Sequence, residues 1–247
     1  MRRLVIGAVS GLMLLGGVQI CAAYEEAEVT GGATLMGHVR LAGEVQPLPP
    51  QPVFKHVETC GAHVADERLV VAADGGVRDV VLSLEGIARG KRIDRTQPVR
   101  LDNKLCAFVP HVVVGTVGQE LEMHNNDPFL HDAHALLPNG ETFFNVGLPK
   151  GKTVRKPIAY AGLIAINCNV RHTWMHAYLF AADHPYLTVT GADGAYRITD
   201  IPAGTYTLKY WQELLGIQTQ SVTLKPGETR TLDLVLPVQA PEARADH

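Results

Sequence analysis

Helical periodicity is nearly absent from this 247-residue sequence once its first twenty or so residues are set aside, which argues against a helical bundle or a sheet wound with crossover helices. Basic residues are also scarce: 22 Lys and Arg stand against 25 Asp and Glu. That balance argues against a nucleic-acid partner, because neutralising phosphates takes clustered positive charge. Catalytic signatures are missing too. There is no Gly-x-Ser-x-Gly elbow, no His-Glu-x-x-His, no glycine-rich phosphate loop and no Cys-x-x-Cys-His haem attachment. Cys168 and His172 could be drawn as a nucleophile and base, but both fall in one short loop, whereas cysteine hydrolases take their base from a distant segment. The reading is therefore not an enzyme.

What the chain does have begins with an export segment. Arg2 and Arg3 precede an apolar stretch from Leu4 to Ile20, and Cys21-Ala22-Ala23 supplies a small-residue cleavage site. Glycines interrupt the apolar run and no basic stop-transfer cluster follows, so residues 1–23 are read as a cleaved signal and not as a span. The expected location is periplasmic or secreted, with no membrane span after cleavage.

The remainder reads as short strands rich in Val, Leu, Ile, Thr and Tyr, separated by Gly, Pro, Asn and Asp. Such spacing predicts an all-β sandwich. A division is expected near Pro185: residues 24–184 form one domain, 185–238 a second small β module, and 239–247 a polar tail. The run Arg89-Gly90-Lys91-Arg92-Ile93-Asp94-Arg95 is read as a solvated loop, with docking of an acidic redox partner as its alternative.

Cysteine parity is informative. Cleavage leaves Cys60, Cys106 and Cys168, an odd number for an oxidising compartment. The simplest assignment pairs Cys60 with Cys106, worth about 4 kcal/mol through loop closure. Cys168 is then left over, and it lies among histidines. Cys168-Asn-Val-Arg-His172-Thr-Trp-Met175 follows an apolar strand, and Asn125-Asn-Asp-Pro-Phe-Leu-His131-Asp lies upstream. A thiolate with two imidazoles is a soft trigonal donor set, and a thioether makes a weak axial fourth ligand; this suits copper. The candidate metal residues are accordingly His131, Cys168, His172 and Met175. His134 and His176 are extra histidines close enough in sequence to compete, and His111 is a candidate supporting donor.

These two segments resemble the copper site of cupredoxins, the plastocyanin and amicyanin relatives, over roughly residues 35–183. The resemblance implies a Greek-key sandwich, electron transfer with an unknown redox protein, and an exposed edge of His172, rimmed by Phe129 and Trp174, as the electron port. Asp132 stands where the family usually has Asn bracing the ligand loop. The second unit resembles the carboxypeptidase regulatory-like (transthyretin-related) β-sandwich through Val189-Thr-Gly-Ala-Asp-Gly-Ala-Tyr196 and Ile201-Pro-Ala-Gly-Thr-Tyr-Thr-Leu208. That match covers about 50 residues, short for such a domain, so a truncated module is expected. A looser resemblance is to bacterial exported proteins labelled methylamine-utilisation or plastocyanin-like. Two rival functions stand beside electron transfer: copper handling, and a metal-free interaction module on the same fold.

Overall fold

Residues Ala33–Ala42 alternate buried and half-buried side chains along their length, the period-two signature of a strand lying on a core. The computed structural model describes residues 23–43, 45–170 and 172–238. Residues 1–22 of the expected export segment and the 239–247 tail lie outside them. Among the described residues, apart from one helical turn at Val57–Cys60, the regular elements are strands, as the absence of helical periodicity predicts.

One sandwich is built between residues 99 and 182. Its first sheet runs Thr153–Pro157, Glu120–Asn125, Val99–Lys104, Ala107–Val109. The second runs Thr142–Leu148, His131–Leu136, Gly162–Asn167, His176–Ala182, Val112–Thr116. Leu101, Leu121, Met123, Ile164, Ile166 and Leu179 fill the space between, all fully buried.

The other sandwich is discontinuous, and here the expected boundary at 184/185 needs correcting. Ala33–Ala42 pairs with Ala195–Ile201, with Thr229–Thr231 and with Leu234–Pro237. Val81–Glu85 lies between Leu187–Val189 and Gly204–Gln212. The amino-terminal segment therefore belongs to the carboxy-terminal unit, and the 99–182 sandwich is inserted within it. The 50 matching residues looked short because two strands come from elsewhere in the chain. Leu35, Val39 and Leu41 bury their side chains in that core. At about 1.5–3 kcal/mol each, their contribution is comparable with the whole net stability of a domain, so the strand is integral.

The two sandwiches meet along Val81, Val112 and Trp211, with the Tyr178 ring edge-on to Trp211 at 5.0 Å. Beside this contact Glu213, in the turn between Gly204–Gln212 and Gly216–Leu224, faces His111 and Tyr178 of the inserted unit. Burial would push the Glu213 carboxyl up, yet His111 and His176 outweigh it and bring it down to about 2. The basic run 89–95 is spent locally: Arg95 and Arg92 pair with Glu26, Arg89 with Glu25, and Lys91 donates to the Thr199 carbonyl.

Candidate metal centre

His131 is the first residue of His131–Leu136 and Cys168 follows directly on Gly162–Asn167, so two neighbouring antiparallel strands deliver both to one end of the sandwich. The loop that leaves Cys168 is tied shut by its own backbone. The Cys168 N–H donates to the Met175 carbonyl at 3.2 Å, and the Met175 N–H donates to the His172 carbonyl at 2.8 Å. Asp132 braces the same loop, its Oδ1 accepting from the N–H groups of Asn169 (2.5 Å) and Val170 (3.2 Å).

The result is a triangle of donor atoms. Cys168 Sγ lies 3.7 Å from His131 Nδ1 and 3.5 Å from His172 Nδ1, and the two nitrogens are 3.1 Å apart. Three atoms so spaced share a point about 2.0 Å from each, close to metal–nitrogen and slightly inside metal–thiolate bond lengths. All three residues are buried. Burial pushes the Cys168 thiol up to about 12. Burial, helped by the neighbouring His131, brings His172 down to about 4 and also lowers His131. Burial thus biases both imidazoles toward the neutral, ligating form, and the thiol proton is the one a metal must displace.

Tautomer control comes from a residue that sequence reasoning missed. Asp127, 3% exposed, accepts from His131 Nε2–H at 2.8 Å, leaving the Nδ1 lone pair aimed at the centre. The same carboxylate accepts from the N–H groups of Leu105 (2.8 Å) and Cys106 (2.9 Å). Asn125 completes the support, taking the Asp127 N–H on its Oδ1 and donating from Nδ2 to the carbonyls of Phe129 and Leu148. Asp127 stands four residues before His131, but nothing local shows that its partners would include residues 105 and 106.

Met175 is buried in the same core cluster as Cys168 and Trp174. The expected Cys60–Cys106 disulfide is present, and Trp174 Nε1–H donates to the Cys106 carbonyl at 3.0 Å, tying the ligand loop to the bridge. His134 stays outside the donor triangle, held by Thr142 and Asn169 at its two nitrogens. His176 also stays outside, turned toward Glu213.

The expected exposed edge of His172 is not there. Its side chain is fully buried, and its Nε2 has no hydrogen-bond partner among the described residues. Phe129 and Trp174 do pack beside it, at 5.6 and 5.3 Å between ring centroids. The added cover is His56, 5.6 Å from His172 and stacked on Phe129 at 3.8 Å. His56 sits at the start of the Val57–Cys60 turn, which the disulfide anchors, so a segment remote in sequence closes over the imidazole.

No curated protein matches this chain. Among solved structures it is similar to a copper-containing nitrite reductase from Thermus scotoductus SA-01 at 24% identity and a TM-score of 0.32, covering 34% of this chain and 22% of that one. It is similar to a purple cupredoxin from Nitrosopumilus maritimus at 18% identity and a TM-score of 0.30, covering 34% of this chain and 97% of that one. A reduced amicyanin variant gives 14% identity and a TM-score of 0.31, covering 34% and 81%. Residues 177–237 match the family model of the carboxypeptidase regulatory-like domain, and the structural neighbours are cupredoxins.

Proposed function

We propose that this is an exported, non-enzymatic, mononuclear copper protein that passes electrons to and from a redox partner. The observation that carries the reading is the donor triangle of His131, Cys168 and His172, whose spacing fits one ion and in which Asp127 leaves Nδ1 of His131 free. Copper held there, with Met175 as the weak fourth ligand, would supply a one-electron couple suited to soft trigonal donors. The chain's own part is rigidity. Strand hydrogen bonds, the Asp132 and Asp127 braces and the disulfide hold the donors in place, so little rearrangement accompanies a change of charge. Partners would dock at the Phe129–His56 end through a small, weak contact.

Burial of His172 under His56 favours a second reading, copper storage or delivery, in which slow access replaces fast exchange. The deciding experiment loads the mature protein with copper and records its visible spectrum and voltammetry. An intense charge-transfer band that disappears in Cys168→Ser, with reversible electrochemistry, supports electron transfer. Tight Cu(I) binding without reversible current supports storage. No band, or one that survives Cys168→Ser, refutes the thiolate site.

A further inference from the structure

Where the two sandwiches touch lies a second convergence of donors that the first site does not use. His111 Nε2 is 2.7 Å from Glu213 Oε2, and His176 Nε2 is 3.4 Å from Glu213 Oε1. One ligand atom from each of the three residues falls within 4.8 Å of the others. The imidazole rings stand 5.0 Å apart at 85°, presenting their nitrogens to the carboxylate from two directions. We propose that His111, His176 and Glu213 form a second metal site, for a divalent first-row ion such as Zn(II), that clips the inserted sandwich to the regulatory-like one.

Three observations favour an ion over a simple ion-pair network. His176 Nδ1 lies 3.0 Å from the Trp174 carbonyl, which can only accept, so Nδ1 carries a hydrogen and Nε2 is the nitrogen turned toward Glu213. That Nε2 is buried and makes no hydrogen bond among the described residues, a costly arrangement for a polar atom unless something else binds it. Room is also available. A cavity of about 330 Å³ is lined by both His111 and His176 and offers an entry path from their side. Two imidazoles and one carboxylate with open positions make a donor set for borderline divalent ions, distinct from the soft thiolate set nearby. Tyr178, whose hydroxyl donates to Glu213 Oε1 at 3.2 Å, orients the carboxylate. The donors come from both units: His111 precedes Val112–Thr116 and His176 opens His176–Ala182 in the insert, and Glu213 sits in a tight turn of the other sandwich. Binding would therefore act on the docking of the two.

The test dialyses metal-free protein against micromolar Zn(II) and counts zinc per chain, with thermal unfolding in parallel. The wild type, His111→Ala, Glu213→Gln and His131→Ala are compared. The expected result is one zinc fewer in both His111→Ala and Glu213→Gln than in the wild type. The His131→Ala protein retains that zinc, and zinc raises Tm only where it is retained. Equal zinc in the wild type and both interface variants overturns the site, as does zinc that disappears in His131→Ala alone. Should the interface variants fail to fold, the His131→Ala protein decides alone. Co(II) must add ligand-field bands without a thiolate charge-transfer band, and no uptake refutes the proposal. The first site's failure would show instead in the Cys168→Ser spectrum, so the two readings fall separately.

Discussion

Replacing Asp127 by Asn tests whether the donor triangle is held from behind. The wild-type carboxylate takes three N–H donors on two oxygens, at 2.8, 2.9 and 2.8 Å, with almost no exposure to water. An asparagine of the same shape keeps one accepting oxygen and turns an NH2 toward the donors that faced the other. At least one charge-assisted hydrogen bond is lost, worth about 1.5–3 kcal/mol, and one buried donor is left without a partner at about 1–3 kcal/mol. The expected destabilisation of the metal-free protein is thus about 3–5 kcal/mol, read as a lower urea midpoint with unchanged slope. His131 also loses the acceptor that sets its tautomer, so copper affinity in a chelator competition should fall about 10–100-fold. A variant within about 0.5 kcal/mol of wild type, with copper affinity unchanged, would show that Asp127 is a bystander.

Other expectations follow from particular contacts. Gly37→Ala would push a Cβ into the Leu232 carbonyl, and since Gly37 is in the amino-terminal strand, the loss of stability should exceed about 3 kcal/mol. A neutral outcome in denaturant titration would contradict the interleaved sandwich. Metal-free Cys168, whose thiol is pushed up to about 12 by burial, should be inert to a disulfide reagent at pH 8 and react only after unfolding. Rapid labelling of the folded protein would refute that burial. Asp66 is held below the usual carboxylate range chiefly by its paired hydrogen bonds with Arg68, at 2.9 and 2.6 Å. Its folded value lies below its unfolded one, so its contribution is present above about pH 4 and lost as pH falls through the folded value. Asp66→Asn should therefore cost stability near pH 7, with the gap to wild type closing in acid; a gap that is constant with pH would refute the assignment.

That Cys168 and His172 lie together was legible in the sequence because loop spacing is local information. Cys168, His172 and Met175 occupy one turn after an apolar strand, and cysteine parity singled out Cys168. Strand periodicity was equally local, so the all-β character could be read without tertiary knowledge. Three features could not. The domain boundary depends on Ala33–Ala42 pairing with Leu234–Pro237 nearly two hundred residues later, and a β ladder stores no trace of its partner in its own alternation. The cover over His172 depends on a disulfide carrying His56 across the molecule. The choice of Nδ1 as ligand atom on His131 depends on Asp127, whose other partners come from a turn twenty residues upstream. Residue types and their spacing determined which chemistry was available. Only tertiary packing decided which atoms face one another, because burial and hydrogen-bond geometry are set by segments that meet in space and not in sequence.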